Sequence, residues 1–153
     1  QTKQGTRRSS RRTTKDEFIS KVSEELKTFF SNLLLEAEKR GMQIYWGTVG
    51  FSLRLVKENE EVISLFYGYP PASDGSSDAN ISGYVGNIED PKLQSEVRQK
   101  FLSVKGTDPA GKYTVGLEIN KNNIETGKQL VEILWEIIHD PRIRQGLPPK
   151  MEE

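Results

Sequence analysis

The chain has 153 residues, 34% of them hydrophobic, with no cysteine and with 22 Lys+Arg balanced by 22 Asp+Glu. That length suits one domain with a hydrophobic core and is short for two, and the missing cysteines exclude a disulfide framework, a thiolate nucleophile and a cysteine-based zinc site. No apolar run nears the roughly 20 residues that cross a bilayer, and a net charge of zero speaks against a dedicated nucleic-acid binder.

The zero conceals an asymmetry. Lys3, Arg7, Arg8, Arg11 and Arg12 stand within residues 1–13 without a single acid, so this arm is net +5 and the remainder net −5. The arm also lacks any apolar residue that could anchor it. Ordering it would cost conformational entropy with no burial to offset it, so residues 1–13 are expected to be a disordered basic arm or linker, with arginines suited to phosphate oxygens. A chain opening on Gln1, without the apolar segment of a signal peptide, is read as part of a longer protein, soluble, cytoplasmic and not attached to a membrane.

Thr14 to Glu17 has the form of a capping box, and Phe18, Val22, Leu26, Phe29, Leu33 and Ala37 follow at helical spacing up to Lys39-Arg40-Gly41. One long helix is predicted there. Met42 to Trp46 reads as a short strand and Gly47 to Gly50 as a tight connection. Phe51, Leu53 and Leu55 then alternate with Ser52, Arg54 and Val56, the period of a strand with one buried face. After the polar turn Lys57–Glu61, Val62 to Tyr69 has Ile63, Leu65, Tyr67 and Tyr69 in one phase and Val62, Ser64, Phe66 and Gly68 in the other. Large side chains in both phases predict a central strand that ends at Pro70-Pro71.

Residues 72–80 read as a loop, and Ile81 to Ile88 as a weaker strand interrupted by Gly83 and Gly86. Asp90-Pro91 opens a second helix carrying Leu93, Val97, Phe101 and Leu102. Gly106 to Lys112 reads as a turn-rich connection, and Tyr113 to Ile119 as a strand. Asn122 with Glu125 is expected to cap a last helix, apolar over more than one stripe, stopped by Asp140-Pro141.

The fold class predicted is α+β, with a mostly antiparallel sheet of four or five strands and three helices largely on one face, in the order α-β-β-β-(β)-α-β-α. Residues 14–141 form the single domain of this reading, and residues 142–153 a frayed tail.

The order α-β-β-β-α-β resembles the core of restriction-endonuclease-like nucleases. That resemblance implies an acid at the start of one strand and an acid-x-Lys triplet on the next, because Mg²⁺ needs converging carboxylates. Ser52, Arg54 and Ser64 stand where the acids belong, and Glu118 is followed by Asn120 rather than Lys. The signature is absent. His139, the one histidine, lies at a helix end where the dipole favours a cation, and Gly127-Lys128 lacks the upstream glycine of a phosphate loop.

What remains is an aromatic and arginine set: Tyr45, Trp46, Arg54, Phe66, Tyr67 and Tyr69. Trp46, Arg54, Tyr67 and Tyr69 are taken as the binding group, with Arg7, Arg8, Arg11 and Arg12 of the arm beside them. The functional expectation is a non-catalytic accessory or interaction domain that binds a macromolecular partner, nucleic acid first, with no cofactor and no metal. The alternatives are a degenerate nuclease-like hydrolase using Glu118 and Asp90, and a dimerisation or scaffold domain using the last helix.

Overall fold

A computed structural model describes residues 11–145. The chain is α+β, as its alternating periodicities predict, with five helices and six strands among the described residues. Helices α1 (Lys15–Lys21) and α2 (Glu24–Lys39) lead into β1 (Gln43–Trp46), β2 (Phe51–Val56), β3 (Val62–Tyr69) and β4 (Ala79–Tyr84). Then come α3 (Pro91–Leu102), β5 (Asp108–Pro109), β6 (Thr114–Ile119), α4 (Ile124–Ile138) and α5 (Pro141–Arg144). The strands form one open antiparallel sheet in the order β1-β2-β3-β4-β6-β5, so β3 is central.

The first predicted helix is in fact two. The capping box at Thr14 and Glu17 forms, but Val22 and Ser23 are extended and the chain restarts as α2. The aromatic core explains the break. Phe18 and Phe30 would lie about 18 Å apart along a continuous helix, yet their ring centroids are 5.0 Å apart. Folding α1 back on α2 brings Phe18 edge-on to Phe51 of β2 as well.

Strand β3 corrects a second expectation. Register runs Leu53 to Phe66 and then Arg54 to Ser64, leaving Leu65 as an extra residue on β3. This bulge resets the alternation: Ile63, Phe66 and Gly68 share the helix-covered face, and Ser64, Tyr67 and Tyr69 point the other way. The two apolar phases read from the sequence are thus one buried face seen on either side of a bulge.

Three smaller differences follow from close packing. Strand β4 begins at Ala79, inside the segment read as a loop, and runs through Gly83 because the Phe101 ring occupies the place of a Cβ there, 2.6 Å from its ideal position. Strand β5 takes two residues from the segment read as a turn, and brings the strand count to six. The cap of α4 is Asn123, one residue later than expected, and its side chain accepts from Asn120 N and donates to the Glu118 carbonyl.

The helices cover one face of the sheet. Phe30 of α2 meets Phe51, Phe101 of α3 meets Phe66, and Gly127 lets α4 lie directly against Ile119. The apolar stripes of α4 are spent on this packing, with Leu130, Leu134 and Ile138 fully buried. Among the described residues no helix is long and apolar enough to cross a membrane.

Past residue 141 the chain makes one more helical turn, α5, with Ile143 buried and Arg142 bonded to both Glu96 and Asp140. Residues 146–153 lie outside the described residues. Hydrogen bonding from Arg142 holds the Glu96 and Asp140 carboxyls below their ordinary pKa values. Groups depressed in the folded state add stability above their unfolded pKa and lose it as pH falls through the folded one. The stability difference between wild type and Arg142→Ala is therefore expected to be constant above about pH 5 and to shrink below about pH 4. Urea titrations across that range measure it; a difference that grows on acidification contradicts the pairing.

Candidate partner-binding face

The face of the sheet opposite the helices carries the candidate site. Because strand neighbours in register share a face, the pairings place Tyr45, Ser52, Tyr67, Ser82, Gly116 and Asp108 in one row across all six strands. A second row holds Tyr69, Asn80 and Glu118, and a third Gln43, Arg54 and Ser64.

At the β1 side the rows converge on a depression of about 280 Å³, lined by the Gly47–Gly50 turn and by Tyr45, Ser52, Arg54, Tyr67 and Tyr69. The Arg54 guanidinium lies 3.9 Å from the Tyr45 ring centroid, and its Nε donates to Ser52 Oγ at 3.3 Å. Among the described residues no carboxylate pairs with Arg54. Its charge is turned toward a ring and the opening, rather than toward one of the glutamates of the β2–β3 turn.

The tyrosines form a connected set. Tyr67 and Tyr69 stand near-parallel, at 13° with centroids 6.4 Å apart, and Tyr84 meets Tyr67 edge-on at 5.3 Å. Burial and the neighbouring Tyr67 push the Tyr69 hydroxyl above the usual tyrosine pKa, so it stays a neutral group at physiological pH. Tyr69 is nonetheless 43% exposed.

The arm reaches the same place. Thr13 N donates to the Gly47 carbonyl at 2.7 Å, and the Arg12 guanidinium lies 4.4 Å from the Tyr45 ring centroid with its Nη2 donating to Tyr45 Oη. Arg11 instead pairs with Glu17 of the capping box. Arg7 and Arg8 lie outside the described residues.

Of the four domain residues chosen from the sequence, Arg54, Tyr67 and Tyr69 come together and Trp46 does not. Trp46 is opposite Phe51 in the ladder and turns to the helix side, where its ring meets Phe18 and Phe51. Tyr45, its neighbour, takes the open side. Tyr84 was missed, although its place after the inward Ile81 and Gly83 marks it as outward once the strand is fixed.

Two of the remaining candidates, Asp90 and His139, stand at helix ends. Asp90 caps α3 by accepting from Leu93 N, while Glu118 stands exposed opposite Asn80. Among the described residues there is no cluster of three His, Cys, Asp or Glu side chains that could hold a metal ion. His139 closes α4, its Nδ1 2.8 Å from the Trp135 carbonyl. Comparisons with protein-family models, curated proteins and solved structures gave no match.

Proposed function

We propose that this chain is a non-catalytic interaction module that holds a nucleic-acid partner on the open face of its sheet. The observation that supports this most is the meeting of Arg54, Tyr45, Tyr67 and Tyr69 around one depression, with Arg12 of the basic arm laid against the same ring. Arginine supplies the phosphate contact and tyrosine the flat apolar surface, the two chemistries a nucleic acid needs. The acidic remainder of the domain then confines binding to this corner, where the arm delivers its charge.

Arg54→Ala is expected to weaken binding of a fluorescein-labelled oligonucleotide about tenfold, as the loss of one charge-assisted contact implies. Trp46→Leu serves as the control: it opens the aromatic core and lowers the thermal midpoint, yet leaves affinity within about twofold. Fluorescence anisotropy on the two variants and on a chain lacking residues 1–13 decides the matter. If deleting the arm abolishes binding while Arg54→Ala changes nothing, the sheet face is not the binding surface.

A further inference from the structure

We infer that the face takes unpaired bases, so that the partner is a single-stranded nucleic acid whose bases stack on Tyr67 and Tyr69 while Arg54 and Arg12 meet its phosphates. This narrows the nucleic-acid reading above and rests on it.

The rings come first. Tyr67 and Tyr69 are outward positions two apart on one strand, near-parallel, with Tyr69 substantially exposed. Within a nucleic acid, a ring surface of this kind serves a base whose own face is free. In a duplex the base faces are hidden in the stack, and sequence is offered through groove edges to an inserted helix or ribbon. Here the ligand-facing surface is a sheet, and the open spot at Gly116, where an added Cβ would meet nothing within 4 Å, extends it without a protrusion.

Charge points the same way. The cations Arg12 and Arg54 lie at β1 and β2, whereas Glu118 and Asp108 share the face at β6 and β5. From β2 to β6 is three strand spacings, about 14 Å. A duplex presents two rows of phosphate separated by a groove, about 12 Å for the major groove, so seating one row on Arg54 carries the other toward Glu118. A single strand has one row. It can lie along the arginine side with its bases turned inward over the tyrosines, a length of roughly two or three nucleotides.

The test uses the full chain and three labelled probes: a 12-nucleotide oligothymidine, the matching oligouridine and a 12-base-pair duplex. At least one single strand is expected to bind ten times more tightly than the duplex or better. Tyr67→Leu and Tyr69→Leu should each weaken that single strand about tenfold, Tyr67→Phe should stay within about twofold, and none of the three should alter the salt dependence. Arg54→Ala should lower the slope of log K against log salt by about one. Because Tyr69 is partly exposed, its variant remains informative if Tyr67→Leu unfolds. Equal affinity for duplex and single strand, with the tyrosine variants silent, overturns the single-strand inference and leaves the nucleic-acid reading standing. No binding of any probe overturns both and turns attention to a protein partner for the same tyrosines and arginine.

Discussion

Phe18→Ala is expected to lower the stability of the domain by about 3–5 kcal/mol, the range for emptying a fully buried aromatic site. Phe18 has no exposed surface and is the ring that joins three elements: it meets Phe30 of α2 at 5.0 Å, Phe51 of β2 at 5.2 Å and Trp46 of β1 at 6.0 Å. Edge-on aromatic pairs add roughly 0.5–1.5 kcal/mol each beyond the area they bury, so the truncation removes more than its volume. A loss of this size is a large part of the ~5–15 kcal/mol that holds a typical domain. Urea denaturation should show a lower midpoint at an unchanged m-value, and Phe18→Leu should recover most of the difference. A loss under about 1 kcal/mol for the alanine variant would mean that α1 is not docked on the sheet.

The second large effect is expected at Gly50, and it couples the fold to the proposed binding face. A Cβ there would run into the carbonyl oxygen of Gly68, a backbone atom of the neighbouring strand, and would sit 2.8 Å from the Tyr69 ring. Backbone cannot rotate away as a side chain can. Gly50→Ala must therefore part β2 from β3 or shift the hairpin, at a cost of about 3 kcal/mol, and it must displace Tyr69 from the depression. Gly47→Ala is the matched control from the same turn, since its nearest contact would be the Gly50 carbonyl at an ordinary 3.5 Å. Thermal melts and oligonucleotide affinity should both fall for Gly50→Ala and change little for Gly47→Ala. Equal losses in the two would mean that turn flexibility, rather than the close approach to β3, is what matters.

These two variants also mark the boundary between local and long-range information. Phe18 stands at the first position of a clear helical stripe, and its burial is legible from spacing alone. The break after Lys21 is not. Val22 and Ser23 fit a continuing helix, and only the pull of Phe18 toward Phe30 and Phe51 decides that the chain turns there. Gly50 likewise reads as one of two glycines in a tight turn, and nothing local separates it from Gly47.

The proposed binding face divides in the same manner. Arg54 was legible, because Phe51, Leu53 and Leu55 alternate strictly and leave Ser52 and Arg54 on the far side. Tyr67 and Tyr69 were legible as a pair, though the bulge at Leu65 hid which side they took. The strand at Trp46 was legible but the side of its ring was not, since a strand of four residues with two adjacent rings carries too little alternation to say which ring turns inward.

By itself, then, the amino-acid sequence determined the types of the longer helices and strands though not of β5, the capping box at Thr14, the helix start at Asp90-Pro91 and the amphipathic phase of β2. Each rests on the conformational preference or hydrophobic period of a short segment, which needs no distant partner. Only the tertiary structure decided the helix break, the bulge, the choice of Tyr45 over Trp46 for the open face, and the docking of Arg12 against Tyr45. Each of these is settled by contact between residues far apart in the chain, where the register of one strand against the next fixes which side chain is buried and which is left on the open face.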